Sequence, residues 1–226
     1  MALQSADKQA LIAGGTGRIG RAIAARLETD GFGVFAAGRA DGDLRGPDGA
    51  HQLVEQALER LGRLDLVVHC AGGGFVPAAL EDVTEALWDE ALDVTAKGTF
   101  FLAQAAAPAL RAAHGTLVIV EDVASYQAWT SFPAHSAAKA AQAMLTRVLA
   151  RVLAPEVRVC GVAPGPVAVD AGQEERRAAE TLLGRVGSPQ DVADAVSYLA
   201  AAGFVTGSTL VVDGGRSLKT GRGAIP

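Results

Sequence analysis

His135 and Lys139 stand one helical turn apart in Pro133-Ala134-His135-Ser136-Ala137-Ala138-Lys139, and Asp122 lies 13 residues before the histidine. An imidazole ordinarily titrates near 6.5, so it can give or take a proton at neutral pH without help. An ammonium facing it from the next turn lowers that value and makes the ring a better base than acid. A carboxylate beside the ring pulls the value back up and orients the ring. These three groups could therefore move a proton to or from a bound molecule, directly or through a water. Without turnover, the same groups are a hydrogen-bonded polar pair in a cleft.

A second constellation could hold a nucleotide. Gly14-Gly15-Thr16-Gly17-Arg18-Ile19-Gly20 follows the apolar run Ala10-Leu11-Ile12-Ala13 and opens a segment with Ile19, Ile23 and Leu27 on one helical face. Glycines let the backbone turn sharply and approach a pyrophosphate, whose charge the helix N-terminus favours. About 20 residues on, an acid would bind a ribose 2′-hydroxyl and repel a phosphate there. Ala36-Ala37-Gly38-Arg39 offers a guanidinium in that place, and Arg18 in the loop is a second. Arginine grips phosphate in a planar fork, so Arg18 and Arg39 with no opposing acid predict NADP(H).

The elements that must position these groups alternate. Strands are expected at Ala10–Ala13, Phe32–Ala37, Leu64–Cys70, Thr116–Val120, Val157–Val162 and Thr209–Asp213. Between them, helical periodicity covers His51–Leu61, a long helix or two over Thr84–Ala113, and Pro133–Leu153. Ser188-Pro189-Gln190-Asp191 carries the serine cap, first-turn proline and third-position acid of a helix start. Such alternation predicts α/β architecture: one doubly wound (Rossmann) parallel sheet, helices on both faces, in a single domain over 1–226. Only 25 residues separate Arg39 from Asp65. That is too short for a full second crossover, and predicts a stub of third strand near Gly42-Asp43-Leu44.

Composition narrows the partners. Half of the 226 residues are hydrophobic and 27 are glycine, which suits a buried parallel sheet with tight turns. The net charge of −5 with no basic run argues against nucleic acid or an anionic membrane surface. No apolar run reaches transmembrane length, and the N-terminus lacks the apolar core of a signal peptide, so a cytoplasmic protein is expected. Cys70 and Cys160 lie in strand-like runs without metal or redox spacing, and no metal site is expected. His69 and His114 read as structural.

Several ordered segments resemble the short-chain dehydrogenase/reductase family. Beyond the glycine loop these are Leu64–Gly72, like the family's strand ending in Asn-Asn-Ala-Gly, and Asp93–Phe100, like its Asn-x-x-Gly helix. Val162-Ala163-Pro164-Gly165 resembles the turn beside the nicotinamide, and Val205–Gly215 the C-terminal strand. The resemblance covers roughly residues 8–217 and implies hydride transfer to a small-molecule substrate. It implies cofactor contacts from Gly14, Thr16, Gly17, Arg18, Ile19, Gly20, Arg39, Asp43, Leu44, Ala71, Gly72, Lys139, Pro164, Gly165 and Val167. It also implies a homo-oligomer, tetramer or dimer, through the long helices and the last strand.

The catalytic positions depart from the family pattern. Its Tyr-x-x-x-Lys reads His135-x-x-x-Lys139, its serine is Asp122 and the asparagine behind its lysine is Thr95. Arg18, Asp122 and the segment Leu153–Val159 look nearest to the pteridine reductase and dihydromonapterin reductase branch. The resemblance thus implies a catalytic set of Asp122, His135, Lys139 and Thr95, with Thr95 imitating only part of the asparagine's water relay. Trp129 and Phe132 would wall the substrate pocket, with Phe75 opposite and Tyr126 able to swing in. The expected activity is NADPH-dependent reduction of a carbonyl or a pterin-like C=N bond. Two alternatives are a catalytically impaired dinucleotide-binding sensor or partner protein, and a site where His135 is base in another reaction.

Overall fold

Six short apolar strands, β1 (Lys8–Ala13), β2 (Phe32–Ala37), β3 (Leu66–His69), β4 (Thr116–Val120), β5 (Arg158–Pro164) and β6 (Thr209–Val212), form one parallel sheet. A computed structural model describes residues 8–167 and 169–219. Residues 1–7, read above for a leader, lie outside the described ones. The strand order is β2-β1-β3-β4-β5-β6. The chain therefore leaves β1 toward one edge and returns to its other side at β3. At that reversal the carboxyl ends of β1 and β3 part, and a crevice opens beyond them.

Alternate residues of each strand face opposite sides, and in the central strands β3 and β4 both sides are buried. Leu11, Val67, Leu117 and Ile119 pack with α2 (Pro47–Leu61) and α4 (Gly98–Ala113). The end of α5 (Pro133–Leu153) joins them through Leu149 and Leu153. On the other face Ile12, Val68, Val118 and Val162 meet α1 (Arg18–Thr29) and α7 (Pro189–Ala201). The expected start of α7 is present, with Ser188 and Asp191 completing a reciprocal capping box.

Two expectations are corrected. No strand forms at Gly42-Asp43-Leu44; the chain turns there and enters α2 at Pro47, earlier than His51. Close backbone contact explains it, since a Cβ on Gly49 would lie 2.0 Å from the Asp43 carbonyl oxygen. The two glycines thus let the turn collapse onto the helix, leaving no length for a strand. The stretch over Thr84–Ala113 is α3 (Glu85–Leu92) and α4, joined through a π-helical turn at Asp93–Lys97. Such turns re-aim side chains inside a helix, and this one carries Thr95. Among the described residues no helix is long and apolar enough to cross a membrane.

Candidate active site

The turn after β1 is built on backbone contact. Gly14 has φ +85°, and a Cβ there would lie 2.6 Å from the Ala71 nitrogen. At Gly20 it would lie 2.2 Å from the Gly14 oxygen, so α1 is drawn against the turn. Gly17 caps α1 without a side-chain hydrogen bond, and no acid sits in the first turn. Its amides are left to an anion.

Two cavities meet at this turn. One of about 470 Å³ is lined by Gly14, Gly17, Arg18, Ile19, Gly20, Ala71 and Gly72, and by Pro164, Gly165 and Val167 across the crevice. Asp122, His135 and Lys139 complete that wall. The other, about 250 Å³, is lined by Gly14, Thr16, Gly17, Arg39, Asp43, Leu44, Ala71 and Gly72. All the expected site residues except Thr95 therefore border one or the other of two cavities that share Gly14, Gly17, Ala71 and Gly72. The glycine cradle and free helix end between them fit a dinucleotide. A separate cleft of about 550 Å³ lies between Leu182, Leu183 and β6, where Arg185 and Asp191 are spent on each other at 2.8 Å. Among the described residues no group of three or more His, Cys, Asp or Glu is placed to hold a metal.

His135 Nε2 lies 3.4 Å from Asp122 Oδ2. The Asp122 carboxylate is aimed by its other oxygen, which accepts from the Ala124 amide at 2.8 Å. Asp122 is the more open partner, with 21% of its side chain exposed against 7% for His135. His135 Nδ1 is buried with no partner among the described residues. Phe75 meets the imidazole edge-on at 4.8 Å, and Trp129 lies over it at 6.3 Å. Phe75 does not face the other aromatics across the pocket as expected; it stacks on Phe132 at 4.6 Å, on the same wall. The Tyr126 hydroxyl donates to Glu121 at 3.3 Å.

Lys139 is buried, and its ammonium does not point along the helix toward His135. It donates to the Val120 carbonyl at 3.0 Å and to Gln142 Oε1 at 2.9 Å. Burial lowers its pKa, and Asp122 is the charge that most opposes this. The Thr95 hydroxyl is buried without a partner among the described residues. The amide of Gln142 lies beside it, donating to Thr99 Oγ1 at 2.8 Å and to the Thr95 carbonyl at 3.4 Å. It also meets His69 Nδ1 at 3.3 Å, and burial pushes that histidine down to about 3. His69 is thus a neutral core residue, and His114 ends α4 in the left-handed region at φ 48°.

Gln142 and Glu121 were missed from the sequence. The signal was available, since Lys139, Gln142 and Thr146 fall on one face of α5 and that face meets the sheet. Glu121 is buried and accepts from Thr146 at 2.6 Å and Thr209 at 3.2 Å. Burial raises its pKa despite these hydrogen bonds. A carboxyl whose folded value is raised stabilises below its unfolded pKa, and that stability is lost as pH rises through the folded value. Glu121→Gln should therefore gain in Tm relative to the parent protein between about pH 4 and neutrality. Thermal melts across that range read it, and a pH-independent difference would count against it.

The two arginines are not aligned as expected. Arg18 opens onto the larger cavity, 3.6 Å from Asp170, and Arg39 onto the smaller one. The expectation that no acid opposes Arg39 is overturned by Glu90 of α3, which accepts from its Nη2 at 3.2 Å. The sequence hid this pair because the partners are 51 residues apart.

Comparison with known proteins gives a consistent result. A family profile described as enoyl-(acyl carrier protein) reductase matches residues 21–217. Dehydrogenase/reductase SDR family member 4 of Pongo abelii is 32% identical, over 93% of this chain and 87% of its own length. The structure of a short-chain type dehydrogenase/reductase from Mycobacterium ulcerans superposes with a TM-score of 0.88 at 28% identity, covering 97% of this chain and 93% of that one. A short-chain dehydrogenase/reductase from Serratia marcescens gives 0.86 at 29%, covering 95% and 100%.

Proposed function

The chain belongs to the short-chain dehydrogenase/reductase family, and from that premise we propose an NADPH-dependent reductase of a carbonyl or pterin-like C=N bond. The observation that carries the reading is the Asp122–His135 contact on the wall of a glycine-cradled crevice. When bound, the dinucleotide supplies the hydride. Gly14, Thr16, Gly17, Ile19 and Gly20 would hold its pyrophosphate, and Asp43, Leu44, Ala71 and Gly72 its adenosine. Pro164, Gly165 and Val167 lie at the other end.

Asp122 meets the substrate, because it is the more open of the pair. As an imidazolium, His135 would keep the proton on its buried Nδ1, unpartnered among the described residues, and pass the one on Nε2 to Asp122, returning to neutral imidazole. His135 thus stands behind the carboxylate as its proton reservoir. Lys139, fixed by Val120 and Gln142, holds a positive charge near Asp122 and would face the ribose of a bound cofactor. Phe75 and Trp129 give a flat substrate a stacking wall. This arrangement resembles that of the pterin-reducing branch, where aspartate also stands for serine.

NADP(H) is preferred over NAD(H) in this reading because Arg39, and not an acid, ends β2. Arg39→Asp should weaken NADPH binding by tenfold or more and spare or improve NADH binding. Calorimetric titration checks this, and equal affinities of the unsubstituted protein for the two cofactors would remove it. NADPH-oxidation assays over pterins, quinones and small ketones test the activity. We further propose a homo-oligomer, supported by exposed Leu210 and Val211 on the edge strand β6 and Val148 and Val152 on α5. A monomer mass in light scattering would oppose that.

One observation favours a second reading. Lys139 is turned inward to Val120 and Gln142, and His135 is nearly buried. A dinucleotide-binding sensor would show that arrangement too, and would bind NADPH without oxidising it on any member of the panel.

A further inference from the structure

Glu90 engages the guanidinium that the phosphate of the preferred cofactor would need. Its Oε1 accepts from Arg39 Nη2 at 3.2 Å, and its Oε2 is 3.6 Å from Arg45 Nη1. Arg39 borders the smaller cavity beside Asp43 and Leu44, at the carboxyl end of β2. The position of Glu90 is set by the backbone. A Cβ on Gly73 would lie 2.7 Å from the Glu90 carbonyl oxygen, and one on Gly74, at φ +65°, would lie 2.6 Å from the Ala91 side chain. The glycine run after β3 thus lets α3 close down and carry its carboxylate to the two guanidiniums.

Folding gives no strong reason for the pair. Arg39 is 64% exposed and Glu90 33%, and ion pairs so open to solvent contribute little to stability. The other acids nearby are already committed. Asp43 chelates Arg45, Asp41 accepts from the Gly38 amide, and Asp93 pairs with Lys97. Among the described residues Glu90 is the acid in ion-pair contact with both arginines.

We propose that Glu90 is a specificity-determining residue of the cofactor site: its carboxylate occupies Arg39 and Arg45 in the free protein, and a ribose 2′-phosphate binds only by displacing it. This rests on the NADP(H) reading above. Arg39 and Arg45 bring two positive charges, and Glu90 with Asp43 two negative ones. The patch is therefore neutral until the carboxylate swings away, and a phosphate gains less there than at two free guanidiniums. A cofactor ending in a 2′-hydroxyl brings no charge and has no need to evict it. Glu90 thus narrows the preference for the phosphorylated cofactor that Arg39 and Arg45 would otherwise impose.

The test is binding, not turnover. Glu90→Gln keeps the shape and removes the charge. NADPH, NADH and 2′,5′-ADP are titrated by calorimetry at low and moderate salt, against the parent protein and Glu85→Gln at the start of the same helix. The expected result is a gain of about fivefold in affinity for NADPH and 2′,5′-ADP, NADH within twofold, and a gain that shrinks as salt rises. Glu85→Gln should leave the NADPH to NADH ratio unchanged. Equal tightening of both cofactors, or no change in NADPH, would overturn the proposal. So would weaker NADH binding, which would make Glu90 a partner of the ribose hydroxyl. Failure of the cofactor reading itself shows separately, in the parent protein and Arg39→Asp.

Discussion

His135→Phe is expected to lower turnover by roughly 10² or more on any substrate that oxidises NADPH, with NADPH affinity unchanged. The substitution keeps a flat ring where Phe75 and Trp129 pack at 4.8 and 6.3 Å, so the aromatic wall survives. It removes both ring nitrogens, of which Nε2 meets Asp122 at 3.4 Å and Nδ1 has no partner among the described residues. In the proposed site cofactor affinity would rest on the glycine turn, Arg39 and Lys139; the hydrogen bonds of Arg39 and Lys139 go to Glu90, Val120 and Gln142, not to the imidazole. Steady-state NADPH oxidation and calorimetric titration of the same preparations read the two effects apart. Equal turnover in variant and parent would make His135 a bystander and leave the proton to Asp122 or solvent. His135→Tyr is a useful companion, since a phenol at that place returns a family-like donor if the pocket admits the longer side chain.

What the sequence made legible follows from how local each feature is. Strand runs and helix faces are set by neighbours within a few residues, so Phe32–Ala37, Thr116–Val120 and Pro133–Leu153 were found with their observed bounds. The glycine turn was legible from its own spacing, and Asp122 and His135 from the family pattern whose positions they fill; all border one cavity. The missing strand at Gly42–Leu44 was not, since nothing in that stretch announces how closely Gly49 approaches the Asp43 carbonyl. Glu90 on Arg39 and Gln142 on Lys139 had different reasons to escape notice. Glu90 joins Arg39 from 51 residues away, whereas Gln142 is three residues from Lys139 on the same helix and was not singled out. The direction of Lys139 likewise depends on tertiary packing, because the Val120 carbonyl that turns it inward belongs to the end of β4.

Gly20→Ala should remove dinucleotide binding and lower stability together, and its contrast with Gly17→Ala is the sharpest check on the glycine turn. A methyl group at Gly20 would lie 2.2 Å from the Gly14 oxygen and 2.7 Å from Gly15 Cα. Both are backbone atoms, so no side chain can rotate away. Helix α1 must then lift from the turn, against a core in which Ile23, Ala24 and Leu27 are buried. Overpacking of this kind costs about 1–3 kcal/mol, several degrees in Tm for a domain of this size. At Gly17 the added atom meets only the Gly14 oxygen at 3.4 Å, an ordinary contact, with φ at −74° where any residue is at ease. Gly17 borders both cavities, so its methyl intrudes on the ligand and not on the fold. Gly17→Ala should therefore melt like the parent protein while losing NADPH affinity, and Gly20→Ala should lose both. Melting curves taken without ligand, beside NADPH titrations, separate the two, and a Gly20→Ala protein with the parent's Tm would refute the backbone clash as the reason for glycine there.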